Sequence, residues 1–154
     1  MEGSKRMNKA DFDYDHGKFR NELSKATFAF KRIKDQLNKN FDHWVELGPK
    51  FLDGNIAITV NQDRDGVTGF VAGKKFSLSL MPLAIEGENY GLVAVSITDP
   101  VTKNALEVER FLVSIHGDVL STDKEVLLSW EDDFQSLKLL IAITRSVLHA
   151  WPKE

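Results

Sequence analysis

The chain has 154 residues, 42% apolar and 28% charged, with 20 Lys and Arg against 23 Asp and Glu and no cysteine. That length suits one ordinary domain, the apolar content is enough to bury a core, and the net charge of −3 is too small for intrinsic disorder. The missing thiols exclude a disulfide scaffold, a cysteine nucleophile and a thiolate metal site; no apolar run approaches the roughly 20 residues of a membrane span, and Met1 to Ala10 holds no apolar signal core. A cytoplasmic, single-domain protein is the expectation.

Residues 1–17 read as a polar N-terminal arm and residues 18–154 as a single α+β domain. In Asp11-Phe12-Asp13-Tyr14-Asp15, either Asp13 or Asp15 suits a helix N-cap, because the carboxylate accepts from free first-turn N–H groups. The helix is expected from about Lys18 to Leu47. Phe19, Leu23, Ala26, Phe30, Ile33, Leu37, Phe41 and Trp44 recur every three or four residues and make one continuous face. Gly48-Pro49 should stop it. At about 1.5 Å per residue this helix is longer than a small sheet is wide, so an overhanging end is expected.

The period then changes. Ile56-Ile58-Val60, Phe76-Leu78-Leu80 and Val93-Val95-Ile97 alternate with small or polar residues, as half-buried strands do. Val67 to Ala72 is a weaker strand containing Gly69. Leu106 to Ile115 carries its inward set first on Leu106 and Val108, then on Phe111 and Val113; that switch near Arg110 predicts a bulge. Val126 to Leu128 can form a last short strand. Turn residues such as Gly73-Lys74, Glu86-Gly87 and His116-Gly117-Asp118 separate these runs with no crossover helix, which predicts an antiparallel meander. A second helix is expected from about Trp130 to Ala150, with Ser129 and Asp132 resembling a capping box. The expected fold is α+β: an antiparallel sheet of about five or six strands covered by the two helices.

Motifs for chemistry are weak. Asn61-x-Asp63-x-Asp65-Gly66 starts like a calcium loop, yet Ala72 occupies the place of its bidentate carboxylate, so a hairpin turn is the better reading. Asp11, Asp13, Asp15 and Glu22 lack the sharp-turn glycine and read as a helix-capping cluster. No histidine pair, G-x-S-x-G, S-x-x-K or Walker spacing occurs. Glu107 and Glu109, two apart on a strand, should share a face, most simply the solvent side. No cofactor and no metal is expected, and an enzyme is disfavoured; one would need His116, Asp118 and Arg110 to converge.

Charge is unevenly spread. Residues 1–50 hold 11 basic and 8 acidic groups, residues 51–154 hold 9 and 15. Seven basic residues lie between Lys18 and Lys39, and six acidic ones between Asp118 and Asp133. Solvated faces explain such runs simply; two fields of opposite sign also steer a partner. Phe28 lies off the main helical face, where a large apolar group marks a contact. The expected function is therefore a non-enzymatic protein-binding module, of adaptor, inhibitor, immunity or secretion-chaperone type. Its partner is another protein or a second copy, met through Phe28, Lys31, Arg32, Asp123 and Glu125. Neither a membrane nor nucleic acid is the expected partner. The alternative is a small-ligand pocket between helices and sheet, lined by Trp44, Tyr90, Arg110, Trp130 and Trp151.

Overall fold

The computed structural model describes residues 6–152. A short 3-10 turn at Lys9–Phe12 leads into helix α1, His16–Phe51. The Asp15 carboxylate caps α1 by accepting from the Lys18 N–H at 3.1 Å. With 36 residues α1 is about 54 Å long.

Gly48-Pro49 does not stop α1, contrary to the sequence expectation; both lie inside its last turn. Proline's fixed φ is itself helical, and a missing N–H near a helix end sacrifices only one hydrogen bond. The stop comes just beyond. There the Leu52 N–H donates to the Leu47 carbonyl (3.0 Å) and the Gly54 N–H to the Gly48 carbonyl (2.8 Å), with Asp53 and Gly54 both at positive φ. Gly48 serves a different purpose. A Cβ at this position would strike the Ile56 carbonyl oxygen, so glycine lets the last turn lie directly on the first strand.

Seven strands follow: β1 Ile56–Val60, β2 Gly66–Val71, β3 Lys74–Ile85, β4 Glu88–Thr98, β5 Ala105–Val113, β6 Val119–Leu120 and β7 Val126–Leu128. They form one antiparallel sheet in sequence order, the expected meander. The strand beyond the sequence reading is β6, too short for any alternation to show. Ala72-Gly73 and Glu86-Gly87 are two-residue turns with positive φ at both positions, the twist-matched geometry of tight hairpins. Pro82 sits in β3 beyond the stretch paired with β2, where its missing N–H breaks no ladder.

The expected bulge is present. Val95 pairs with Glu109 and Ser96 with Glu107, leaving Val108 as the extra residue of β5. This overturns the expectation that Glu107 and Glu109 share a face. Glu109 falls in the register of the core-facing Val95, whereas Glu107 turns to the other side of the sheet, where Arg110 meets it.

Helix α2, Gln135–His149, closes the fold. Its start differs from the expected Trp130 because local side chains satisfy the backbone of residues 129–134 in turns. Ser129 Oγ accepts from the Glu131 N–H (3.1 Å), Asp132 Oδ1 from the Phe134 N–H (2.9 Å), and the Asp118 carboxylate from the Trp130 N–H (2.9 Å). Ser129 and Asp132 therefore form no capping box. At the far end, Lys74 Nζ donates to the Ala150 carbonyl at 2.6 Å, placing a cation where the helix dipole favours one.

Both helices cover the same face of the sheet. Ile33, Leu37, Phe41 and Trp44 of α1 join Leu139, Leu140, Ile143 and Val147 of α2 over Phe76, Leu78, Val93 and Val95. Each such side chain contributes about 1.5–3 kcal/mol on burial. Gly91 permits the closest approach, since a Cβ there would sit 2.8 Å from Ile33 Cγ2 and 2.9 Å from Leu80 Cδ1. The helices touch where the Trp44 indole N–H donates to the Ser136 carbonyl (2.9 Å). Among the described residues no helix covers the opposite face. It carries a Ser77–Ser96 hydroxyl contact (2.8 Å) and a small apolar cluster of Tyr90, Leu112 and Leu120.

Candidate functional site: an unpartnered helix end and an acid-flanked groove

The sheet spans about 30 Å across seven strands at roughly 4.8 Å each, so a 54 Å helix outruns it. Burial along α1 begins at Ala29; residues 16–28 hold no buried side chain. The apolar stripe does not stop with the sheet. Phe19, Leu23 and Ala26 continue the line of Phe30, Ile33 and Leu37, yet Phe19 and Leu23 are 51% and 52% exposed. The expected overhang is thus real, and its apolar face has no cover among the described residues.

At 100° per residue, Lys18 and Lys25 flank this stripe on one side and Arg20 and Lys31 on the other. Phe28 lies half a turn away from Phe19, is 60% exposed, and has the Arg32 guanidinium 6.0 Å from its ring. Among the described residues none of Lys18, Arg20, Lys25, Lys31 and Arg32 makes an ion pair.

A second feature lies on the far side of the core. Phe111, Val119, Leu127, Leu128, Leu139, Ala142 and Ile143 line a 270 Å³ groove between α2 and the β5–β7 end of the sheet, with Glu109, Lys138 and Ser146 among its walls. Strand β7 is the sheet edge, and its Val126 and Leu127 are exposed. Asp123 and Glu125 precede β7; Glu131 and Asp133 follow it. Two nearby charges are already paired. Lys124 holds Glu86 at 3.0 Å, which raises the lysine's pKa, and Lys138 holds Asp132 at 2.8 Å. The Lys138 hydrogen bond, then the Phe134 N–H, keeps the Asp132 carboxyl below the ordinary carboxylate range. The side chains of Asp123, Glu125, Glu131 and Asp133 make no ion pair among the described residues.

The five residues proposed from sequence as one pocket lie apart. Trp44 is in the core, 1% exposed, and Tyr90 belongs to the cluster on the uncovered face. Arg110 is on that face too, hydrogen-bonded through two of its nitrogens to the Glu107 carboxylate. This bond, the largest influence on each, lowers the Glu107 pKa and raises that of Arg110. Trp130 borders a separate 240 Å³ cavity with Gln36 and His116, and Trp151 is exposed beyond α2. Of the proposed contact residues, Phe28, Lys31 and Arg32 sit together on α1, while Asp123 and Glu125 sit in the β6–β7 turn. They mark two surfaces.

His116, Asp118 and Arg110 have separate engagements: Asp118 accepts from Trp130, Arg110 serves Glu107, and His116 lines the smaller cavity. Among the described residues no group of three His, Asp or Glu side chains is placed to hold a metal ion, and no helix is long and apolar enough to cross a membrane. Sequence reasoning placed Phe19 and Leu23 on the helical stripe without naming them as contact residues, and it missed Leu127 and Ala142 of the groove. The first pair had a signal, the ratio of helix length to sheet width. The second had none, because nothing in sequence placed β7 beside α2. In comparisons with known proteins, no family model, curated protein or solved structure matches the chain.

Proposed function

We propose that this small α+β domain is a non-enzymatic protein-binding module of the adaptor, inhibitor, immunity or secretion-chaperone kind. The observation that carries this reading is the apolar stripe of α1, which leaves the core at Ala29 and continues, uncovered, through Ala26, Leu23 and Phe19. Exposed contiguous apolar surface rimmed by charge is what protein contact sites offer. Phe28 with Lys31 and Arg32 forms a second contact on the opposite side of the same helix. A small-ligand role finds less support: the residues suggested for it are dispersed, and the 380 Å³ hollow beside Lys34, Asp42 and Arg64 is lined by polar and charged side chains, unlike the mostly apolar walls of ordinary ligand pockets.

The test is photo-crosslinking in native extract with a photoreactive amino acid at Leu23 or, separately, at Phe28. The reading expects a discrete covalent adduct from at least one position, lost when Phe19 is changed to Glu. If neither position yields an adduct, with another protein or with a second copy, the binding-module reading fails.

A further inference from the structure

The two surfaces described above have opposite charge and matching chemistry. We propose that they are the two halves of one self-association contact: the overhang of α1, residues 16–28, docks on the α2/β7 groove of a second copy, and the second copy returns the same contact. This rests on the binding-module reading and names its partner.

Four observations support it. First, both surfaces offer exposed apolar ground: Phe19 and Leu23 on the helix, Leu127 with the groove floor on the other side. Second, their charges are complementary. Residues 16–28 hold three basic groups and one acidic group, whereas residues 118–133 hold six acidic groups and one lysine. Among the described residues the charged groups flanking the stripe have no ion-pair partners, and four acids beside β7 have none either. Third, one molecule cannot satisfy itself. Helix α1 runs unbroken, with neither Gly nor Pro between Lys18 and Leu47, so residues 16–28 cannot fold back onto their own groove. Fourth, charge excludes the simplest rival. Two overhangs pairing side by side would each bring a net +2 to the seam, and like charges facing one another oppose association. A single helix segment of this length covers less than the roughly 800 Å² per partner of a stable interface, and a two-fold arrangement supplies the contact twice.

The chain's lack of cysteine makes a direct test clean. Leu23→Cys and Leu127→Cys proteins are mixed and oxidised. A Leu23–Leu127 heterologous disulfide dimer, dominant over either homodimer, is the expected product; a dominant Leu23–Leu23 product, or none, overturns the proposal. Charge exchange supplies a second readout. By light scattering the unmodified chain is expected to be dimeric at micromolar concentration. Lys18→Glu/Arg20→Glu/Lys25→Glu and Asp123→Lys/Glu125→Lys/Glu131→Lys each weaken the dimer at least about tenfold, and mixing the two variants restores a dimer. Lys75→Glu, on the uncovered face, changes nothing. A monomeric unmodified chain, or a mixture that stays monomeric, ends the proposal. The module reading then stands or falls separately, on whether crosslinks at Leu23 or Phe28 capture a different protein.

Discussion

Glu107 and Arg110 are three apart in sequence yet meet because Val108 is squeezed out of the β4–β5 ladder. One extra residue reverses which side chains face the helices, so Glu109 joins the groove wall while Glu107 turns outward to the guanidinium. The Glu107 carboxyl titrates below its ordinary range in the folded chain, chiefly through its bond to Arg110. Its contribution to stability is therefore full above the unfolded glutamate pKa, about 4.3, and is lost as pH falls through the lower folded value. Glu107→Gln should cost less than about 1 kcal/mol at neutral pH, as expected of a solvent-screened pair. The difference from the unmodified chain should vanish in urea titrations at pH values below that range. An undiminished difference in strong acid would show that Glu107 acts through packing instead. The bulge itself was legible, because the inward set changes parity between Val108 and Phe111. Its consequence for Glu107 and Glu109 was not, since parity alone does not say which residue is extruded.

Helix α1 is two helices in energetic terms. From Ala29 to Gly48 it is bound to the sheet; from His16 to Phe28, among the described residues, it is held by its own hydrogen bonds, the Asp15 cap and a Tyr14–His16 side-chain hydrogen bond, with no buried side chain. Leu37→Ala, at a site 3% exposed, should destabilise the chain by about 2–5 kcal/mol through a core cavity. Leu23→Ala, on the same stripe, should cost under about 0.5 kcal/mol in the monomer. Thermal unfolding of dilute samples separates them, and similar losses would mean that the overhang is packed in solution. The stripe was readable from Phe19 to Trp44 because its three-and-four spacing never breaks. Where the core ends along it was not, because Leu23 and Leu37 are the same residue type within about 40° of each other around the helix, and only the width of the sheet tells them apart. Helix ends were the least legible feature. Pro49 is tolerated in a last turn that had other acceptors to satisfy, and the residues from Ser129 to Phe134 look helical by period while their own hydroxyl and carboxylate groups bind the backbone in turns.

At the scale of the molecule, the antiparallel meander with both helices on one face was legible from turn residues and the lack of crossover segments. The relation between the two helices was not. It depends on which face each hairpin presents, and it leaves the side holding Ser77, Ser96 and Tyr90 uncovered by any helix among the described residues. The groove likewise arises only once β7 and α2 are side by side, so its residues carry no local signature.

Every strand pairs with its neighbour in the chain, and the hydrogen bond from Trp44 to Ser136 joins residues 92 positions apart. That contrast sets an order of assembly. Hairpins close locally on a scale of about microseconds, whereas bringing the two ends of the chain together requires closing a loop that encompasses the whole sheet. The sheet can zip from turn to turn before α1 and α2 meet. Trp44 sits at that last seam, while Trp130 and Trp151 stay largely in water. In a Trp130→Phe/Trp151→Phe chain, refolding should change Trp44 fluorescence no earlier than the far-ultraviolet signal of the strands; an earlier change would contradict that order. The indole at the seam thus doubles as a built-in clock for the moment at which the chain's two ends find each other.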